Sequence, residues 1–154
     1  MSYTPVIPVP PNTQTNRQNL DAALAALIDA FIVSESYAVG RVWKSAMPAN
    51  LTGEGPLIVM GDVTEAISHD WQTRTTTFTG DLFYVDWVTD PDELNDRVNR
   101  WADKMRDLFT ANAELLIVGV LQQTGFQEGE LNQGGLVFAA PSIQFTYVIQ
   151  EGRA

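Results

Sequence analysis

Cysteine is absent from this 154-residue chain, and histidine occurs once, at His69. Without cysteine there is no disulfide framework, no thiol nucleophile and no thiolate-ligated zinc; the absence fits a reducing compartment. Basic residues are scarce as well. Nine Lys and Arg face nineteen Asp and Glu, for a formal charge of −10. Gripping a phosphate backbone needs a basic patch. The balance therefore argues against nucleic-acid binding and favours solubility and repulsion of nucleic acid. No apolar run approaches the ~20 residues of a membrane span. Met1 to Pro11 lacks a basic start and an apolar core, so it does not read as a signal peptide.

The usual carriers of chemistry are missing too. There is no Gly-x-Ser-x-Gly, and a lone His69 cannot serve as both base and ligand set. His69 with Asp70 and Asp62 nearby is weak ground for a metal site. Asp90 to Asp96 superficially resembles a calcium loop, but it lacks the required glycine, and Trp101 stands where the closing glutamate belongs. Gly53-Glu54-Gly55 precedes a strand rather than opening a helix, and Glu54 repels phosphate. Gly129 to Gly135 links two strands and carries no lysine. We expect no catalytic residue, no cofactor and no metal, and hence not an enzyme.

What is present suits one globular domain. Hydrophobic residues make up 45% of the chain, and a chain of this size buries roughly 70% of its unfolded surface. Residues 1–16 contain Pro5, Pro8, Pro10 and Pro11, which favour an extended N-terminal arm. That arm is either a frayed terminus or a segment that docks on a neighbouring subunit through Val6, Ile7 and Val9. Residues 17–154 form the folded domain. Leu20, Leu24, Leu27 and Phe31 recur on one face of a helix from about Arg17 to Val33, capped by Asn16 or Asn19. Strands follow at Tyr37–Lys44, Leu57–Ile67 and Arg74–Val88, separated by the loop Ser45–Pro56 and the connection His69–Thr73.

A second helix begins at Asp90 as N-cap, with Pro91 in the first turn and Glu93 placed for a capping box. Its stripe is Leu94, Val98, Trp101, Met105, Leu108 and Phe109, and it ends near Asn112. Glu93–Arg97 and Asp96–Arg100 are spaced for ion pairs on its polar side. Strands at Leu115–Phe126 and Leu136–Gln150 close the chain around a long loop, Gln127–Gly135. In the last strand Ile143, Phe145, Tyr147 and Ile149 share a face, and Pro141 marks an edge or bulge. The expected class is α+β: a single domain of order α-βββ-α-ββ, with a mostly antiparallel sheet and two helices packed on it.

Both faces of the third and fourth strands are apolar, with Phe83, Val85 and Trp87 opposite Leu82, Tyr84 and Val88. Two helices cannot cover both. Either the sheet curls on itself or other subunits supply the cover. Trp101 and Trp87 read as core; Trp43 and Trp71 border loops and suit partner contact.

In element order, and in Phe83-Tyr84-Val85-Asp86-Trp87 leading into a capped helix, the chain resembles the tail terminator proteins of long-tailed bacteriophages. The resemblance spans about Arg17 to Glu151. It implies a structural virion protein of the tail and neck, assembled in the host cytoplasm. Copies would form a homo-oligomeric ring, a hexamer, that caps the tail tube protein, ends its polymerisation and offers a surface to the head–tail connector or stopper protein. DNA would pass through the lumen without specific binding, and no membrane is involved. The candidate subunit and tube contacts are Trp43, Met47 and Leu51 in the first loop, with Phe126, Glu128 and Leu131 in the closing hairpin. Rival readings are another neck or connector component, a small acidic enzyme using a carboxylate pair, and a module stacking a small ligand on tryptophan.

Overall fold

The computed structural model describes residues 15–48, 51, 56–88, 90–112 and 119–152. The elements are α1 (Asn16–Ser34), β1 (Gly40–Trp43), β2 (Leu57–His69), β3 (Thr73–Val85), α2 (Pro91–Ala111), β4 (Gly119–Gln127), β5 (Glu130–Gln133), β6 (Leu136–Ala139) and β7 (Ser142–Gly152). The expected α+β class and its order of elements are what the chain forms, with strand order β1-β2-β3-β7-β4 in the main sheet. Among the described residues only β1–β2 is parallel; the other pairings are antiparallel. The expected arm lies outside the described residues as far as residue 14, and residues 115–118 of the expected fourth strand lie outside them too.

Local chemistry explains the helix starts. At α1 the N-cap is Thr15, not Asn16 or Asn19. Its hydroxyl accepts the Gln18 N–H at 3.1 Å, and the Gln18 side chain accepts the Thr15 N–H at 2.8 Å. This capping box satisfies two otherwise orphaned donors, and Asn19 is left buried in the first turn. At α2, Asp90 caps as expected, accepting the Asp92 N–H at 3.0 Å. No reciprocal box forms there, because the Glu93 side chain turns to Arg97 instead, at 3.1 Å. A guanidinium four residues on competes successfully with a backbone amide.

The main core lies between the helices and one sheet face. Leu20, Leu24, Leu27 and Phe31 of α1 and Trp101, Met105 and Phe109 of α2 meet Ile58, Leu82, Tyr84 and the expected β7 row Ile143, Phe145, Tyr147 and Ile149. Gly119 at the start of β4 lies flat on the Tyr147 ring, where a Cβ would come within 2.4 Å of it.

The opposite face corrects two expectations. Gln127–Gly135 is not simply a loop, since β5 runs inside it; the expected final strand is two strands, β6 and β7, parted at Pro141. β5 and β6 pair as a separate hairpin, turned by Gly134 and Gly135 with φ of 61° and 82°. Two consecutive left-handed residues match the twist of a tight hairpin, and glycine adopts them without strain. This hairpin, with the segment through Met47 and Leu51, covers Leu57, Val59, Phe83 and Val85. Within the chain, the surplus apolar face of β3 is covered by a third layer rather than by curling of the sheet.

Candidate functional site

A cleft of about 450 Å³ opens between the main sheet and the hairpin layer. Its floor is Val59, Phe83 and Val85; its walls are Met47, Leu131 and Ala140; its rim carries Lys44, Glu128 and Glu130. β2 and β3 set the floor because Val59 and Phe83 are cross-strand partners on one face. The Gln133 side chain accepts the Leu51 N–H and ties the loop segment to the hairpin. Lys44 is paired with Asp62 at 3.1 Å. Glu128 and Glu130 have no ion-pair partner among the described residues, so the mouth is acidic over an apolar interior.

The structure brings together Met47, Glu128 and Leu131 of the expected contact residues, with Leu51 buried just behind them. It does not bring Trp43 or Phe126 there. Trp43 packs against the main core from the helix side. Phe126 also faces the helices, 6.3 Å from Trp101 between ring centroids. Val59, Phe83, Val85 and Ala140 were not expected in this role. A second groove, of about 330 Å³, lies between the start of α2 and the hairpin and takes in Leu94, which was expected on the core stripe. Trp71 stands 83% exposed at the β2–β3 turn, and Trp87, expected in the core, is 47% exposed.

The titratable groups are arranged for structure. Glu35, just past the end of α1, accepts from Arg100 at 3.1 Å and Lys104 at 2.6 Å, both on α2. Burial pushes its pKa up, but these two cationic hydrogen bonds outweigh burial and hold it below the ordinary value. Asp86 accepts from the Tyr84 hydroxyl at 2.7 Å and from Arg97 at 3.2 Å. Arg97 in turn lies over the Tyr37 ring, 3.9 Å from its centroid. Burial first, then the bonds to Tyr37 and Asp86, push the Tyr84 hydroxyl far above its usual range. Both buried carboxylates thus face guanidinium groups, which neutralises their charge where it sits. This arrangement ties α1, β3 and α2 together.

A folded-state pKa below the unfolded one stabilises at every pH above the ordinary carboxylate value, and that gain is lost as pH falls through the depressed value. Glu35→Gln is accordingly expected to lose about 1.5–3 kcal/mol at pH 7, the scale of hydrogen bonds to charged groups. The gap from wild type should narrow as pH falls below the ordinary carboxylate range and through the depressed value, as urea denaturation across an acid pH series will show. An unchanged gap would mean that packing rather than charge gives Glu35 its weight.

Among the described residues no group of three His, Cys, Asp or Glu is placed to hold a metal. Asp70 shapes the β2–β3 turn by accepting from Gln72 and Thr73 at 2.8 and 2.6 Å, and Asp62 is engaged by Lys44. No helix among the described residues is long and apolar enough to cross a membrane. No family model matches the chain, and neither does any curated protein.

Proposed function

We propose that this chain is a structural assembly protein, a subunit of the ring that caps a phage tail tube, ends its growth and offers the head-joining surface. The observation that carries the reading is the cleft: an open apolar notch, built by a hairpin layer of its own, with an acidic mouth and no catalytic group at its floor. Such a notch accepts a protruding apolar side chain flanked by basic residues on a tube or connector subunit. The order of elements and the charge of −10 support the same reading. Termination is steric. One ring face matches the last tube layer, and the other presents no tube-like surface.

Disruption of the gene in its phage, with electron microscopy of the lysate, tests this. Overlong headless tails are expected. Normal-length unattached tails would move the protein to a connector role, and intact virions would end both readings. Glu128→Lys with Glu130→Lys should leave the circular dichroism spectrum unchanged and shift stability by under about 0.5 kcal/mol, as exposed sites do, yet abolish attachment. Normal attachment by that variant would remove the cleft mouth from the contact. The cleft's volume also falls in the range of small-molecule sites. Because no tryptophan lines it, stacking on tryptophan is not the mode of binding it offers.

A further inference from the structure

Among the described residues the main sheet ends in two dissimilar open edges. On one side is β4, whose residues Gly119–Gln127 include neither a charge nor a proline. On the other side β1 covers only Leu57–Met60 of β2. Beyond the irregularity between Met60 and Val63, no strand among the described residues pairs with the outer edge of β2, which runs on to His69. Exposed edges are normally guarded by lysine, proline or inward-pointing charge, because unpaired N–H and C=O groups invite another strand. β4 has one such guard, a bulge between Gln123 and Gly125. Gly119–Gln123 is left as a regular, uncharged ladder.

We infer that the β4 edge of one copy pairs with the outer edge of β2, Val63–His69, in the next copy, so that the sheet runs on from subunit to subunit. This rests on the ring reading above and names its contact. Three observations support a second copy of this chain as the occupant. The first is charge. Copies carrying −10 repel one another, and the least costly approach is where acids are fewest, as at the uncharged β4. The face away from the helices beside β4 is built from Gln122, Gln144, Thr146 and Val148, with Thr77, Thr79 and a single acid, Asp81, next to them on β3. On the β2 edge Asp62 is paired with Lys44, which leaves Glu65 as the one acid within Val63–His69.

The second is side-chain fit. Val120 on β4 and Ile67 on β2 are 41% and 53% exposed, large apolar residues placed on these two edges. In the joined sheet Val120 meets the small Thr64 and Ala66 on one face. With Val120 opposite Ala66, Ile67 stands opposite Gly119 on the helix face, where there is no side chain to clash with it, and Glu65 stands opposite Leu121. The third is direction. β2 and β7 run one way, and β3 and β4 run the other. Copies related by rotation about an axis along the strands keep their directions, so β4 meets the neighbouring β2 antiparallel, the stronger ladder. Dissimilar edges make a head-to-tail contact, which closes into a ring or runs on as a fibre.

The chain has no cysteine, so cross-linking is free of background. Full-length Val120→Cys and Ala66→Cys variants are mixed, oxidised and resolved on non-reducing gels, with light scattering of wild type alongside. A Val120–Ala66 heterodimer from the mixture is expected, together with a ladder ending at a fixed top band from the double variant. A ladder without a top band upholds the edge pairing and overturns the ring. Disulfides only between Val120→Cys copies would show β4 paired with itself and overturn the inference. The same holds if no cross-link forms while wild type scatters as an oligomer, in which case the ring survives with another contact. No cross-link from a monomeric wild type overturns both.

Discussion

Replacing Asp86 with alanine is expected to remove about 3–5 kcal/mol of folding stability, the cost of breaking a buried ion pair by deleting one partner. Asp86 is 3% exposed, and its carboxylate holds two donors, the Tyr84 hydroxyl and the Arg97 guanidinium. Alanine leaves both donors in place. The Arg97 side chain is only 16% exposed, and its remaining acid, Glu93, is half in solvent. Tyr84 keeps its 2.9 Å contact with the Tyr37 hydroxyl but loses the acceptor that orients it. Against a typical domain stability of about 5–15 kcal/mol, this loss is large. It is read as a shift in the guanidinium midpoint at unchanged slope. The double variant Asp86→Ala with Arg97→Met should recover much of the loss, because it removes both charges together. A loss below about 1 kcal/mol for the single variant would mean that Glu93 swings in to replace Asp86.

Trp101→Ala should cost about 3–5 kcal/mol by a different route, the cavity left by a large buried ring. Trp101 is fully buried and stacks on Tyr84 with ring centroids 5.6 Å apart, with Phe126 tilted against it at 6.3 Å. The ring therefore joins α2 to the middle and to the edge of the sheet at once. Its Nε1–H has no partner among the described residues. For that reason Trp101→Phe is expected to cost well under half as much, since the smaller ring also removes an unpaired donor. Equal losses for Ala and Phe in thermal and guanidinium unfolding would show that shape alone decides this site. The same geometry accounts for Phe126: a charge placed there strikes the core rim before it reaches any partner.

How far the sequence foretold this molecule depends on the range of the forces involved. α2 was legible from Asp90 to Asn112, because capping and a stripe at helical spacing are local matters. The buried row of β7 was legible for the same reason, since alternation within one strand says which residues share a face. α1 was placed correctly with the wrong cap. The pattern Thr15-Asn16-Arg17-Gln18 carries the capping-box signature, which two neighbouring asparagines obscured. The β5–β6 hairpin also had its sign in plain view, Gly134-Gly135 between Leu131 and Leu136. Length alone had marked that stretch as a loop.

The cleft is another matter. The surplus apolar face of β3 showed that something must cover it. Nothing local says that the cover is β5 and β6 rather than a neighbouring molecule. That choice is made by contacts between residues such as Met47 and Leu131, far apart in the chain. Trp87 fails as a core residue for a related reason. β3 ends at Val85, with Asp86 bridged to Ala139, so the alternation that would have buried Trp87 stops short of it.

Because a sheet divides the interior, the protein has two cores of unequal size. The larger is sealed by both helices; the smaller has Leu51, Leu57, Val59, Val85 and Phe138 as its buried members. Motions need not respect them equally. The hairpin layer can lift and resettle at the expense of the smaller core alone, as sub-global opening does in many domains, while β3 and β7 stay locked under the helices. Any lifting of the layer that forms the cleft would open the smaller core alone and leave the helix-covered core closed.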